Sequence, residues 1–261
     1  MAGKLEIDRP LDGVLRLSIC NPTNRNALDF AILDAIADAL RSPGDARCVV
    51  LTGTDGMFSS GYDIGAISEE LWAEEAEKLV AHPFCAALAA LDLAEIPTLA
   101  ALGGPAIGGG LELALGCDLR IAASRIKLGM PPAKLGLIYS HTGMRRFLDA
   151  IGEPRTRELF LLGRYIDAPT ALSWGLVNWV VPDDELETAA LELARQLAAN
   201  APLAMSGNKR VLRHVLEAGS ALDPEVEREL LALRESSFAS HDLREGVSAF
   251  AEKRPPSWKG R

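Results

Sequence analysis

Apolar and polar positions follow two alternating rhythms in the first half of the chain and a single rhythm in the second. The runs GVLRLSIC (Gly13 to Cys20), RCVVLTG (Arg47 to Gly53) and IPTLAALGG (Ile96 to Gly104) are short, rich in β-branched or apolar residues and bounded by Gly or Pro, the pattern of buried strands. Between them Leu28, Ile32, Leu33, Ile36 and Leu40 recur at helical spacing, and the stretch from Ser68 to Leu91 predicts a helix with a Glu-rich face. Strand and helix in alternation predict an α/β body with parallel strands. Beyond about Pro182 only helical periodicity is left, over Asp183 to Ala199, Pro202 to Ala218, Pro224 to Phe238 and His241 to Ala251. The chain therefore divides into a body over residues 1–195 and a helical end over 196–261, which serves either as a lid or as an oligomerisation element.

Charge and cysteine usage narrow the classes. The 261 residues carry a formal charge of -9 with no basic run of the kind that tracks a polyphosphate, which argues against nucleic acid as a partner. Cys20, Cys48, Cys85 and Cys117 are scattered in apolar surroundings with no CxxC and no His at ligand spacing. They read as reduced core residues of a cytoplasmic protein with no disulfide framework and no metal site. The opening MAGKLEIDRP has no apolar leader, and no apolar stretch reaches the roughly 18 residues of a membrane span, so no membrane association is expected.

Candidate chemistry gathers where glycines stack before one carboxylate. Gly103, Gly104, Gly108, Gly109 and Gly110 follow a predicted strand and lead into LELALG, so the backbone turns sharply and enters a helix with its N–H groups open to a close neighbour. Gly103 to Gly108 has the GxxxxG spacing, but Gly109 and Gly110 stand where a phosphate loop needs Lys and Ser or Thr, and no GxGxxG occurs. The remaining chemistry is stabilisation of a developing oxyanion at a helix N-terminus. A second amide would come from GMFSSGYDIGA, where Ser59, Ser60 and Gly61 interrupt the chain just after a strand. Taken singly, either loop could equally be a plain strand-to-helix turn.

Taken together, and with four further stretches, these loops resemble the crotonase, or enoyl-CoA hydratase/isomerase, superfamily. NPTNRNAL, LTGTDGMFSSGYDI, GPAIGGGLELALGCDLRIA, PPAKLGLIYSHTG, APTALSWGLVNWVV and EGVSAFAEKRPPSW occur in that family's order along nearly the whole chain. The resemblance implies an α/β, crotonase-like spiral of ββα repeats with a C-terminal helical trimerisation region, assembled as a homotrimer or dimer of trimers. It also implies a coenzyme A thioester as substrate, with coenzyme A entering as part of that substrate and no separate cofactor. On the family pattern the backbone N–H groups of Tyr62 and Gly109 form an oxyanion hole. Ala27, Leu28, Asp63 and Ile64 match the segment that cradles the nucleotide end of coenzyme A, and Lys253 matches a basic residue directed at its phosphates.

A hydratase of this family uses two glutamates around one water. Glu112 matches the first, whereas the second position falls on Pro132, which can neither give nor take a proton. Tyr139 and His141 follow closely and are candidates to compensate; the tyrosine in LGLIYSHTG is similar to one in the methylmalonyl-CoA decarboxylase branch, from which the chain departs by having Tyr62 where that branch has histidine. These features put decarboxylation of a malonyl-type acyl-CoA ahead of hydration by Glu112 with Tyr139 or His141. A silent acyl-CoA-binding scaffold is the alternative of another class, and retention of Glu112 beside both glycine loops weighs against it.

Overall fold

In the computed structural model, which describes residues 3–62, 83–135, 137–218, 223–226, 228–229, 232 and 240–261, the three apolar runs are neighbouring strands of one sheet. They are β2 (Val14–Cys20), β3 (Cys48–Gly53) and β4 (Thr98–Leu102), paired in parallel. β6 (Leu119–Ala123) and β9 (Trp179–Val181) extend the parallel ladder beyond β4. At the other edge lies β1 (Lys4–Leu11), antiparallel to β2 and mostly exposed. Its apolar spacing is too sparse to mark it as a strand, and hairpin pairing to β2 supplies what its own residues do not. All five residues of β4 are buried, as expected of a central parallel strand covered on both faces.

A second, three-stranded sheet holds β5 (Ala106–Ile107), β7 (Lys127–Gly129) and β8 (Tyr165–Asp167). The chain visits the sheets in turn: β4 then β5 and a helix, β6 then β7 and a helix. Isolated parallel bridges, Leu28 to Tyr62 and Ser59 to Ala106, carry the small sheet back into the earlier turns. This is the spiral of ββα repeats. Strands β5, β7 and β8 are two or three residues long, too short for a period-2 signal.

Helix α1 (Phe30–Arg41) presents Ile32, Leu33, Ile36, Ala37 and Leu40 to the core, and Asp29 caps it by accepting from the Ile32 N–H at 2.9 Å. Of the predicted helix from Ser68 to Leu91, residues 68–82 lie outside the described residues, and α2 (Cys85–Leu93) is its last part. α3 (Gly109–Gly116) follows the glycine stretch and packs against both α2 and α4 (His141–Leu162). α4 is two helical pieces joined at Gly152, at φ +73, two residues before Pro154. After α5 (Ala168–Trp174), α6 (Leu186–Ala199) lies on β3, β4 and β6 with Leu186, Ala190 and Ala194 buried. The 195/196 division drawn from the pattern falls within α6. α7 (Pro202–Ala218) and α8 (His241–Glu252) complete the chain, and most of the predicted Pro224 to Phe238 helix is outside the described residues.

None of the four cysteines forms a disulfide, and only Cys48 and Cys117 are core residues; burial pushes both thiols up to about 12. Cys20 is half-buried, and Cys85 is exposed at the start of α2, against its reading as a core residue. Among the described residues no helix is long and apolar enough to cross a membrane.

Candidate active site

The site is built where two crossings between the sheets meet. β3 ends at Gly53, and the chain reaches the small sheet at Ser59, where the N–H groups of Phe58 and Ser59 both donate to the Pro105 carbonyl at 3.2 Å. Gly61 then adopts φ +97, and a Cβ placed there would stand 3.2 Å from the Gly109 nitrogen. That left-handed turn sets the loop backbone against the first N–H of α3. Gly108, at φ +55 and ψ -126, swings the chain from β5 into α3. Among the described residues, neither the Tyr62 nor the Gly109 N–H donates a hydrogen bond, which leaves two main-chain donors at the positive end of a helix.

Two buried asparagines hold this arrangement. Asn26 donates to the carbonyls of Thr54 and Met57 at 2.9 and 2.8 Å and accepts from the Asn21 N–H at 2.8 Å. Asn21 donates to the Ala27 carbonyl at 3.1 Å. The turn at 21–28 is thereby fastened to the loop after β3, and the Leu28 N–H closes on the Gly61 carbonyl at 2.7 Å. Sequence reasoning passed over both, although adjacent Arg25 and Asn26 at φ +56 and +54 show why asparagine, tolerant of that region, stands at the second position.

Glu112 lies one turn into α3 and is 2 % exposed. The Tyr139 hydroxyl donates to its Oε2. Gly143, in the first turn of α4, comes so close that a Cβ there would meet Glu112 Oε1 at 2.8 Å and the Tyr139 ring at 2.7 Å. The Tyr62 ring lies across Gly109, whose added Cβ would be 2.8 Å from Cε1, and stands edge-on to Phe84 with centroids 4.8 Å apart. Tyr139 is edge-on to Phe160 at 5.4 Å. One carboxyl and two phenols are thus enclosed by aromatic rings and glycines.

Burial governs the protons here. It raises Glu112 above its ordinary value, opposed by the Tyr139 hydrogen bond and the Arg146 charge, with Asp92 adding to the rise. Burial also raises Tyr62 and Tyr139, and the nearby Glu112 charge adds to both. Both phenols therefore hold their protons at neutral pH and act as hydrogen-bond donors rather than bases.

The other sequence candidates are placed differently. His141 is the exposed first residue of α4, whose cap is the Ser140 hydroxyl accepting from the Gly143 N–H at 3.1 Å; no described contact joins His141 to Glu112. Pro132 is buried and opens a short 3-10 helix, Pro132–Leu135. Ala27 and Leu28 are buried, and the Leu28 N–H is taken up by the Gly61 carbonyl. Asp63 and Ile64 lie outside the described residues. Lys253 is exposed at φ +54 just past α8, and among the described residues nothing joins it to the Glu112 cluster. A separate cleft of about 300 Å³, lined in part by Pro22, Arg25, Asp55 and Pro105, contains neither Glu112 nor Tyr139. Arg146, Asp92 and Phe84 were not singled out from the sequence: an Arg, an Asp and a Phe within helical segments carry no signal until neighbouring helices bring them together. No group of three or more His, Cys, Asp and Glu suited to a metal ion occurs among the described residues.

Known proteins resemble this chain in sequence and in fold. A family model described as enoyl-CoA hydratase/isomerase matches residues 10–261. The chain is 33% identical over 252 residues to a probable enoyl-CoA hydratase of Mycobacterium bovis, covering 95% of each chain. It is 35% identical over 259 residues to the carnitinyl-CoA dehydratase of Salmonella agona, again covering 95% of each. Among solved structures, the enoyl-CoA hydratase of Bacillus anthracis superposes with a TM-score of 0.89 at 30% identity, covering 99% of this chain and 100% of that one.

Proposed function

Because the chain belongs to the enoyl-CoA hydratase/isomerase family, we propose that it is an acyl-CoA lyase of the hydratase type that works with a single carboxyl, Glu112. The relatives named above are a hydratase and a dehydratase, which favours the addition or removal of water over the decarboxylation that the sequence motifs put first. The observation that carries the reading is the hydrogen bond from the half-buried Tyr139 hydroxyl to Glu112 Oε2, at the helix turn that follows the two open amides.

In this reading the thioester oxygen lies between the N–H groups of Tyr62 and Gly109. As ionised Glu112 takes a proton from water, the water oxygen bonds to the β-carbon and the double-bond electrons move onto the thioester oxygen as an enolate. The amides bind that enolate more tightly than the neutral thioester, so they lower the barrier selectively, by about 3 kcal/mol for one donor. Glu112 then returns a proton to the α-carbon, the enolate collapses and the carboxyl is ionised again. Tyr139 orients the carboxyl throughout, and His141 has no part.

Decarboxylation is the second reading, favoured by buried Pro132 at the position where the family pattern has its other glutamate. Loss of CO2 from a malonyl-type thioester leaves the same enolate, which then needs only one proton. Mass spectrometry of products from crotonyl-CoA and from methylmalonyl-CoA, run with Glu112→Gln and Tyr139→Phe, separates the two. Gain of water that disappears in Glu112→Gln is the expected result. Loss of CO2 without hydration establishes the second reading, and tight acyl-CoA binding with turnover of neither thioester makes the protein a binding scaffold.

A further inference from the structure

α3, which bears Glu112, is flanked by α2 and α4, and one ion pair spans those two neighbours. Arg146 of α4 grips Asp92 of α2 in a two-pronged contact, Nη1 to Oδ1 at 2.9 Å and Nη2 to Oδ2 at 2.6 Å. The pair is partly shielded, with 23% of the Arg146 side chain and 38% of that of Asp92 exposed. Such pairing is geometrically strong and restrains the guanidinium. From α7, Arg213 donates to the Asp92 main-chain carbonyl at 3.2 Å and steadies the same end of α2.

We infer that the Arg146–Asp92 pair, clasped across the two helices that flank α3, is a positioning pair that sets the electrostatic balance at the Glu112 carboxyl. This inference rests on the reading of Glu112 as the reacting carboxyl. A catalytic carboxyl that serves as base and then acid must bind its proton neither too weakly nor too tightly near the working pH. Gly143, whose added Cβ would stand 2.8 Å from Glu112 Oε1, lies one turn before Arg146 in α4, so the helix that carries the guanidinium is pressed against the carboxyl. Burial drives Glu112 toward the neutral form, and the Arg146 charge acts against that drive. Asp92 acts the other way and holds part of that effect back. Among the described residues, the groups whose charge or hydrogen bond acts on Glu112 are Tyr139 from the turn before α4, Arg146 from α4 and Asp92 from α2, and Glu112 acts in turn on Tyr62 from the loop after β3. The Cys85 thiol of α2 acts on Arg146 and Tyr62.

The two partners pull in opposite directions, and this separates control of charge from simple bracing of helices. The test is a direct titration of the Glu112 carboxyl in the full-length protein, by infrared difference spectroscopy with Glu112→Gln as the blank. Arg146→Met removes the cation and leaves Asp92 unopposed, so the midpoint rises by about one pH unit, while Asp92→Asn frees the guanidinium and lowers it by about as much. Arg146→Lys keeps the charge without the two-pronged grip and stays between wild type and Arg146→Met. Should Arg146→Met not fold, the downward shift in Asp92→Asn together with the position of Arg146→Lys decides the matter. Midpoints that stay put, or move the same way in both variants, overturn the inference and make the pair a structural strut. Opposite shifts in a protein that turns over neither crotonyl-CoA nor methylmalonyl-CoA would instead refute the proposed function and leave the pair's control of Glu112 standing.

Discussion

At the scale of single residues, the site is a contest between burial and a few local partners. Glu112 is nearly sealed from solvent, and its one direct side-chain partner among the described residues is the Tyr139 hydroxyl. Glu112→Gln keeps the shape and removes the exchangeable proton, so turnover falls by about 10² to 10⁴-fold while the fold persists, as activity and circular dichroism on the same sample will show. Stability carries a sign of its own. Since the folded protein binds the Glu112 proton more tightly than the unfolded chain does, the contribution of Glu112 is fully present below its ordinary value of 4.5 and is lost as pH rises through the higher folded value. Glu112→Gln escapes that loss, so its melting temperature relative to wild type is higher at pH 8 than at pH 4, measurable by scanning calorimetry at both. Tyr139→Phe deletes the hydrogen bond that favours the ionised form; the Glu112 limb of the pH–rate profile then moves to higher pH.

At the scale of elements, glycines fix how closely the pieces approach, and the available space decides what each replacement costs. A Cβ on Gly110 would stand 2.7 Å from both the Cβ and the main-chain oxygen of Ser59, so α3 and the loop after β3 must separate. Gly110→Ala is expected to lose about 1–3 kcal/mol, read from urea denaturation, together with most of the activity. Gly152, at the joint in α4, has the same atom to gain and open space around it. There only the positive φ opposes alanine, at about 1–2 kcal/mol, and activity survives. The stacked glycines were legible in the sequence as a turn into a helix. Their partners were not: Ser59 and Gly110 are far apart in the chain, and only the crossing between the sheets makes them neighbours.

At the scale of the whole molecule, the C-terminal segment is strapped to the body by a few side chains. Trp258 donates through Nε1 to the Ala199 carbonyl at 2.6 Å and packs on Gly246 of α8. Asp242, 2 % exposed, accepts from the N–H groups of Lys259 and Gly260 at 2.7 and 2.9 Å. Trp258→Ala removes one anchor joining α6 to α8. The expected result is a melting temperature lower by several degrees, since about 1 kcal/mol shifts a chain of this size by 2–4 °C. Amide exchange should quicken over residues 241–252 and remain slow in β4.

The order of amino acids by itself determined the alternation of strand and helix, the inward face of α1, the glycine turn before Glu112 and the family to which the chain belongs. These depend on spacing within a few residues, or on motifs read in order, and both survive in one dimension. Tertiary structure alone decided that Tyr139, rather than His141, meets Glu112, that Cys85 faces outward, and that Arg146 closes on Asp92 beside α3. Two residues apart and both polar, Tyr139 and His141 are equal candidates on paper. Ser140 makes the difference: by capping α4 it turns Tyr139 inward beneath the first turn and sends His141 onto the exposed face. The reach of a side chain across helices depends on how those helices pack, and no local pattern encodes that.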